Sequence, residues 1–186
     1  MATTFTINAE TGLIEPVLYR PSPHHDDRPT QWAIDMIVVH NISLPPGEFG
    51  GEAIETFFCG QLDTSLHPYY ASIGHLKVSA HLLIKRTGEV IQFVPFTKRA
   101  WHAGESSFQG RIRCNDFSIG IELEGTDHIP YERVQYERLE NVIRLLMQAY
   151  PAITKDRIVG HADIAPVRKT DPGPQFDWAY LKGKLV

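Results

Sequence analysis

The chain has 186 residues, 42% of them hydrophobic and 22% charged, with a formal net charge of −4. That length suits one domain able to bury most of a core, with the composition of an ordinary globular protein. The negative balance excludes nucleic-acid binding by bulk electrostatics, and no apolar run approaches the roughly 20 residues that cross a bilayer.

Residues 1–31 are polar and rich in proline and histidine, as in Arg20-Pro-Ser-Pro-His-His-Asp-Asp. They read as an extended N-terminal arm packed on a domain formed by residues 32–186. The opening residues carry no basic stretch followed by an apolar core, so no signal peptide is read there. No lipidation motif is present, and a cytoplasmic setting is expected.

Ala33 to Val39 reads as a buried strand ending at His40. Leu44-Pro-Pro-Gly-Glu-Phe-Gly-Gly is loop chemistry, and a short helix is expected from Glu52 to Cys59. Residues 60–78 read as irregular. Ser79–Lys85 and Glu89–Val94 form strand patterns around Arg86-Thr87-Gly88, a hairpin signal. Lys98 to Asn115, with its glycines and polar residues, reads as a long surface loop.

Ser118 to Leu123 is a further strand. Its alternation puts Ile119, Ile121 and Leu123 on one face and Gly120, Glu122 and Glu124 on the other. Leu139, Val142, Ile143, Leu146 and Met147 recur at helical spacing and predict a helix over 132–149, ended by Pro151. Ile158-Val159 is a short strand leading to His161. This order predicts a single-domain α/β fold, with a central mixed β-sheet flanked by helices. Cys59 and Cys114 are too few for a disulfide framework and read as free thiols.

Most of the nine histidines need no special role. His40 and His161 differ, because each follows a buried strand where a sheet end opens. Asp171 lies beyond His161 across Pro166, so the segment must loop back for the three to meet. Two imidazoles and a carboxylate can hold zinc with one position open. The same residues read equally well as two capped histidines and a turn-forming aspartate before proline. A carboxylate in mid-strand is costly unless solvated or paired, which singles out Glu122 or Glu124. Periodicity does not choose between them. Lys169, taken alone, is a solvated loop lysine.

Longer segments carry a resemblance. They are Val39-His40-Asn41-Ile42-Ser43-Leu44-Pro45-Pro46-Gly47-Glu48-Phe49-Gly50-Gly51, Ala100-Trp101-His102-Ala103-Gly104, Arg113-Cys114-Asn115-Asp116-Phe117-Ser118-Ile119-Gly120-Ile121-Glu122-Leu123-Glu124-Gly125 and Arg168-Lys169-Thr170-Asp171-Pro172-Gly173-Pro174. From about Arg20 to Trp178 the chain resembles the N-acetylmuramoyl-L-alanine amidase family, which includes the peptidoglycan recognition proteins and a phage lysozyme. Within it, the match is to the cytoplasmic zinc amidases that recycle cell-wall muropeptides.

The resemblance implies zinc held by His40, His161 and Asp171, Glu122 as general base, and Lys169 as the cation facing the developing oxyanion. It implies Asn41, Tyr69, Trp101, Arg113, Leu123 and Arg168 around the substrate, with Lys77 where close relatives carry an arginine. His102 is a weaker candidate. Many relatives have a catalytic tyrosine where Ala80 stands, so this chain is expected to rely on Glu122. Some relatives carry Cys in place of Asp171; the Asp goes with the muropeptide-recycling branch. The implied substrates are small 1,6-anhydro-N-acetylmuramyl peptides, and a monomer is expected. A broader amidase on intact peptidoglycan and a non-catalytic peptidoglycan-binding module are the alternatives.

Overall fold

A computed structural model describes residues 4–185. The N-terminal segment forms short strands β1 (Thr6–Asn8), β2 (Leu13–Glu15), β3 (Leu18–Tyr19) and β4 (His25–Asp27) before the long strand β5 (Met36–Ile42). Helices α1 (Ala53–Phe58) and α2 (Pro68–Ile73) precede the hairpin of β6 (Leu82–Ile84) and β7 (Val90–Gln92). Then come β8 (Lys98–Ala100), β9 (Ser107–Phe108), β10 (Arg111–Ile112), β11 (Ser118–Glu124) and α3 (Arg133–Ala149). The chain ends with β12 (Ile158–Gly160), α4 (His161–Ile164) and α5 (Trp178–Lys184).

One six-stranded sheet runs in the order β12-β5-β11-β6-β7-β3. β12, β5, β11 and β6 are mutually parallel, and β7 returns antiparallel to β6. The sheet is therefore mixed, with helices on it, as the element order predicts. The parallel centre explains the apolar run Met36–Val39, since a strand covered on both faces need not alternate, whereas β11 alternates, with Gly120 and Glu122 between its apolar residues.

Alternate residues feed different cores. Ile37, Val39, Ile119, Ile121 and Leu123 pack with Leu139, Val142, Ile143 and Leu146 of α3 and Leu181 of α5. Met36 and Val38 point the other way, to Ala103, Cys114, Phe117 and Ile164. Leu83, Ile91 and Phe93 meet Ile54, Phe57 and Phe58 of α1 in a third cluster that also holds Ala80. Gln135 of α3 is fully buried, and its amide donates to the carbonyls of Ile84 and Glu124, tying the helix to two strand ends.

Residues 60–78 are more regular than expected. α2 starts at Pro68, whose missing N–H costs nothing at a helix start, and the His67 side chain accepts from Tyr69 N–H. A six-residue helix held by its cap offers no periodicity to read. The Lys98–Asn115 span is also not one loop. β8 pairs with β4, and β9 with β10. These elements have two or three residues each; β8 is fixed by a partner distant in sequence, and β9 and β10 pair with each other across a two-residue turn. β5 also continues past His40 to Ile42, because β11 supplies a ladder partner along its whole length.

Arg28 follows β4 and reaches under the sheet. Its guanidinium donates to the carbonyls of Phe96, Asn115, Asp116 and Ser118. Asp26 in β4 holds Arg99 and accepts from the Trp101 indole N–H at 3.1 Å. Ile14 lies in the α3-side core.

Candidate active site

The C-terminal ends of the parallel strands open into a cavity of about 700 Å³, within the usual size range of small-molecule sites. β5 contributes His40 and β11 contributes Glu122, and the two are partners in the ladder. His161 begins α4 directly after β12. Gly160 gives the next segment its path: a Cβ there would meet Pro172 Cδ at 2.8 Å.

His40 Nδ1 and His161 Nδ1 lie 3.0 Å apart, and each is 3.1 Å from Asp171 Oδ2. The looping back from His161 to Asp171 is fixed by Ala162 N–H donating to the Asp171 carbonyl at 3.0 Å. The turn after it is held by Tyr131 Oη–H on the Pro172 carbonyl. Asn41 donates to that carbonyl and to Asp127 Oδ1, and Thr170 donates to Asp127 Oδ2.

Burial pushes the Asp171 carboxyl up, but contact with the His161 and His40 rings outweighs it, and the group is held well below the usual carboxylate range. Burial also pushes His40 down to about 4, against the pull of Asp171. The ionised carboxylate and neutral imidazole are the forms that bind metal. His161 Nε2 lies 3.1 Å from the Ala103 carbonyl oxygen, which can only accept. The His161 proton is therefore on Nε2, and the Nδ1 lone pair faces the Asp171 oxygen. The ligand atoms of His40, His161 and Asp171 all lie within 4.8 Å of one another, so the donor set fits a metal ion. A histidine whose outer N–H is held by a backbone carbonyl is also the usual arrangement behind a metal ligand.

Glu122 is 9% exposed, and its Oε2 has no hydrogen-bond partner. Burial raises its pKa well above the ordinary value and Asp171 adds to the rise, while Lys169 opposes it. A costly unpaired carboxylate facing a cavity is what a proton-transfer role requires. Glu124, on the same face, is differently employed: its oxygens accept from Gly50 N–H and Arg86 N–H and close two loops. Hydrogen bonding thus distinguishes the two carboxylates that strand periodicity does not. Lys169 lines the cavity and forms no side-chain hydrogen bond or ion pair among the described residues.

Of the expected substrate neighbours, Asn41, Tyr69, Trp101 and Arg168 line the cavity, as does His102. Arg168 donates to the Ala103 and Glu105 carbonyls. Gly104 makes room for it, with φ at +59° and a Cβ position only 3.0 Å from Arg168 Nη2. Arg113 lies outside the main cavity, exposed on an adjoining one that shares Arg168. Lys77 is exposed and away from the cavity lining. The Leu123 side chain is fully buried in the α3-side core, on the face opposite Glu122. Ala80 is buried in the α1-side core. Cys114 is buried in a core away from the metal-ligand group, and Cys59 is half-buried; both are free thiols. Asp127 was not anticipated, because a loop aspartate has no sequence signal for the pinning contacts it makes.

Comparison with known proteins agrees with this geometry. The family described as N-acetylmuramoyl-L-alanine amidase matches residues 29–174. The 1,6-anhydro-N-acetylmuramyl-L-alanine amidase AmpD of Enterobacter cloacae is 60% identical over 177 residues, covering 95% of this chain and 94% of that protein. The crystal structure of a selenomethionine AmpD derivative superposes with a TM-score of 0.92 at 56% identity, covering 96% and 98% of the two chains. The E. coli N-acetylmuramyl-L-alanine amidase AmiD, solved in complex with the substrate anhydro-N-acetylmuramic acid-L-Ala-D-gamma-Glu-L-Lys, is 27% identical with a TM-score of 0.59. That match covers 98% of this chain and 66% of AmiD.

Proposed function

The chain belongs to the N-acetylmuramoyl-L-alanine amidase family, and from that premise we propose that it is a zinc-dependent amidase of cell-wall recycling. Its substrates are small 1,6-anhydro-N-acetylmuramyl peptides, and the bond cut joins the lactyl group of the sugar to L-alanine. The observation that carries the reading is the meeting, in one cavity, of the His40–His161–Asp171 group and the unpartnered Glu122 carboxylate. Identity to AmpD proteins over nearly the whole chain supports the anhydro-sugar class, and the AmiD complex supports a muropeptide in this cleft. Among the described residues no helix is long and apolar enough to cross a membrane, which is compatible with a cytoplasmic setting. All the site residues come from one chain, which is compatible with a monomer.

Zinc held by His40, His161 and Asp171 would acidify a bound water to a pKa near 7 and polarise the amide carbonyl. Glu122 accepts the proton of the attacking water, its burial making it a stronger base than an exposed carboxylate. Lys169 stabilises the negative charge that develops on the carbonyl oxygen. Glu122 then returns its proton to the departing alanine nitrogen. Asn41 acts through the loop, since its amide fixes the turn that follows Asp171. Tyr69, Trp101 and Arg168 present the walls against which the sugar and peptide are held.

The test is hydrolysis of anhydro- and reducing-end muropeptides by zinc-loaded protein. Faster release of peptide from the anhydro form is expected. Equal rates would leave a general amidase, and binding without release would leave a peptidoglycan-binding module.

A further inference from the structure

A line of side chains leads from the sheet to the back of His40. Ser118 Oγ is 2.6 Å from the Cys114 carbonyl, which can only accept, so the hydroxyl proton points there. Ser118 Oγ must then act as acceptor toward His102 Nε2, 3.1 Å away. That places the His102 proton on Nε2 and leaves Nδ1 as a lone pair. His102 Nδ1 is 2.9 Å from His40 Nε2, so His40 carries its proton on Nε2 and turns an unprotonated Nδ1 toward His161 and Asp171. Each step follows from the one before, starting from a carbonyl with no choice of role.

The packing is built for this ring. His102 lies directly over β11 at Gly120, where a Cβ would meet its Cγ at 2.3 Å. Asn115 Oδ1 accepts from the backbone N–H groups of both His102 and Ala103, fixing the segment from which the ring projects. The His40 and His102 rings meet edge to face with centroids 5.0 Å apart.

We propose that His102, oriented by Ser118 and seated in the gap left by Gly120, is a positioning residue that fixes the tautomer of His40 and so keeps its Nδ1 available as a ligand. This rests on the metal reading for its purpose, and on the hydrogen bonds alone for its structure. A second imidazole as the acceptor behind a metal-binding histidine does the work more often given to a carboxylate or a backbone carbonyl. It fixes the ring without placing another negative charge near the Asp171 carboxylate.

The experiment has two readouts. The first is the ¹⁵N chemical shifts of the His40 ring in metal-free protein, which distinguish Nε2–H from Nδ1–H. The second is zinc affinity by competition with a chromophoric chelator. Wild type should show His40 as the Nε2–H form. His102→Phe keeps ring volume but has no acceptor; His40 should lose its single tautomer, and zinc should bind about 10–100-fold more weakly. His102→Asn loses volume but can set its Oδ1 where Nδ1 was, so its affinity should exceed that of the Phe variant. A packing role predicts the reverse order, and that order would overturn the proposal. Ser118→Ala, which leaves both rings in place, should mix the His40 tautomers even if the Phe variant does not fold. An unchanged Nε2–H form in Ser118→Ala, together with unchanged affinity, would also overturn it. A wild type that shows the Nε2–H form but takes up no zinc would support the hydrogen-bond relay and defeat the metal assignment.

Discussion

His40 and Glu122 are ladder partners in adjacent parallel strands, and both project from the face opposite α3. Strand spacing therefore sets an imidazole and a carboxylate about 5 Å apart at their backbones, on the most rigid part of the fold. His161 and Asp171 are brought to this pair by α4 and the loop after it. The proposed base and one proposed metal ligand thus share a scaffold, and the other two proposed ligands close onto it.

Removing Glu122 should separate metal binding from turnover. Glu122→Gln should lower kcat by at least about 10²–10³-fold, the range for losing a principal proton-transfer group. Zinc content, measured by atomic absorption, should stay near that of wild type, because the glutamate is not one of the converging ligands.

The same substitution should change stability in a pH-dependent way. The folded-state pKa of Glu122 is raised by burial, so the protonated side chain favours the fold. That contribution is fully present below the unfolded value, about 4.3, and is lost as pH rises through the folded value. In metal-free protein, Glu122→Gln should therefore be more stable than wild type at neutral pH. The gain should shrink toward pH 4, as read by urea unfolding at each pH.

Lys169 should act on rate and on the Glu122 proton together. Lys169→Ala should reduce kcat by about 10²–10³-fold with a smaller effect on KM, as expected for a group that meets charge only in the transition state. Lys169 also opposes the rise in the Glu122 pKa. Its removal should move the acid limb of the kcat/KM profile to higher pH. An unchanged limb alongside a raised KM would make Lys169 a ground-state contact.

Metal removal should abolish activity and weaken the fold. Zinc at 100 times its Kd should add about 2.7 kcal/mol of stability, seen as a rise in Tm after chelated protein is reloaded. No shift on reloading would argue against the assignment.

Filling the gap above β11 should be costly. Gly120→Ala puts a methyl group inside the His102 ring contact, and an overpacked core position typically costs about 1–3 kcal/mol. Denaturant unfolding should show that loss, with zinc affinity falling in parallel because the ring behind His40 is displaced.

The long elements were legible because their periodicity is long. α3 repeats its apolar stripe over several turns, β5 opens on an apolar run, and β11 alternates apolar residues with Gly120, Glu122 and Glu124. α2, β8, β9 and β10 were not legible, since a cap, a distant partner or a tight hairpin holds segments too short to carry a period. Within the site, spacing made His40 and His161 plausible, and the extended motifs named Asp171, Glu122 and Lys169. Arg113, Lys77 and Leu123 came from resemblance alone; the first two lie outside the cavity lining, and the side chain of the third is buried on the other face of the sheet. His102 stood out least, yet one signal pointed to it. Gly120 interrupts a run of strand-forming residues, and such a glycine often marks a close approach from above.

The family signature begins at residue 29, one position after Arg28, while AmpD relatives align over nearly the whole chain. A fragment cut at that boundary would leave the Phe96, Asn115, Asp116 and Ser118 carbonyls without the guanidinium that caps them. It would also release the Trp101 indole from Asp26 and strip Ile14 from the core. Three of those carbonyls belong to the segment that carries Asn115 and Ser118, the residues that seat His102. The folding unit of this chain therefore begins before that boundary, and the early strands are part of the enzyme's interior architecture.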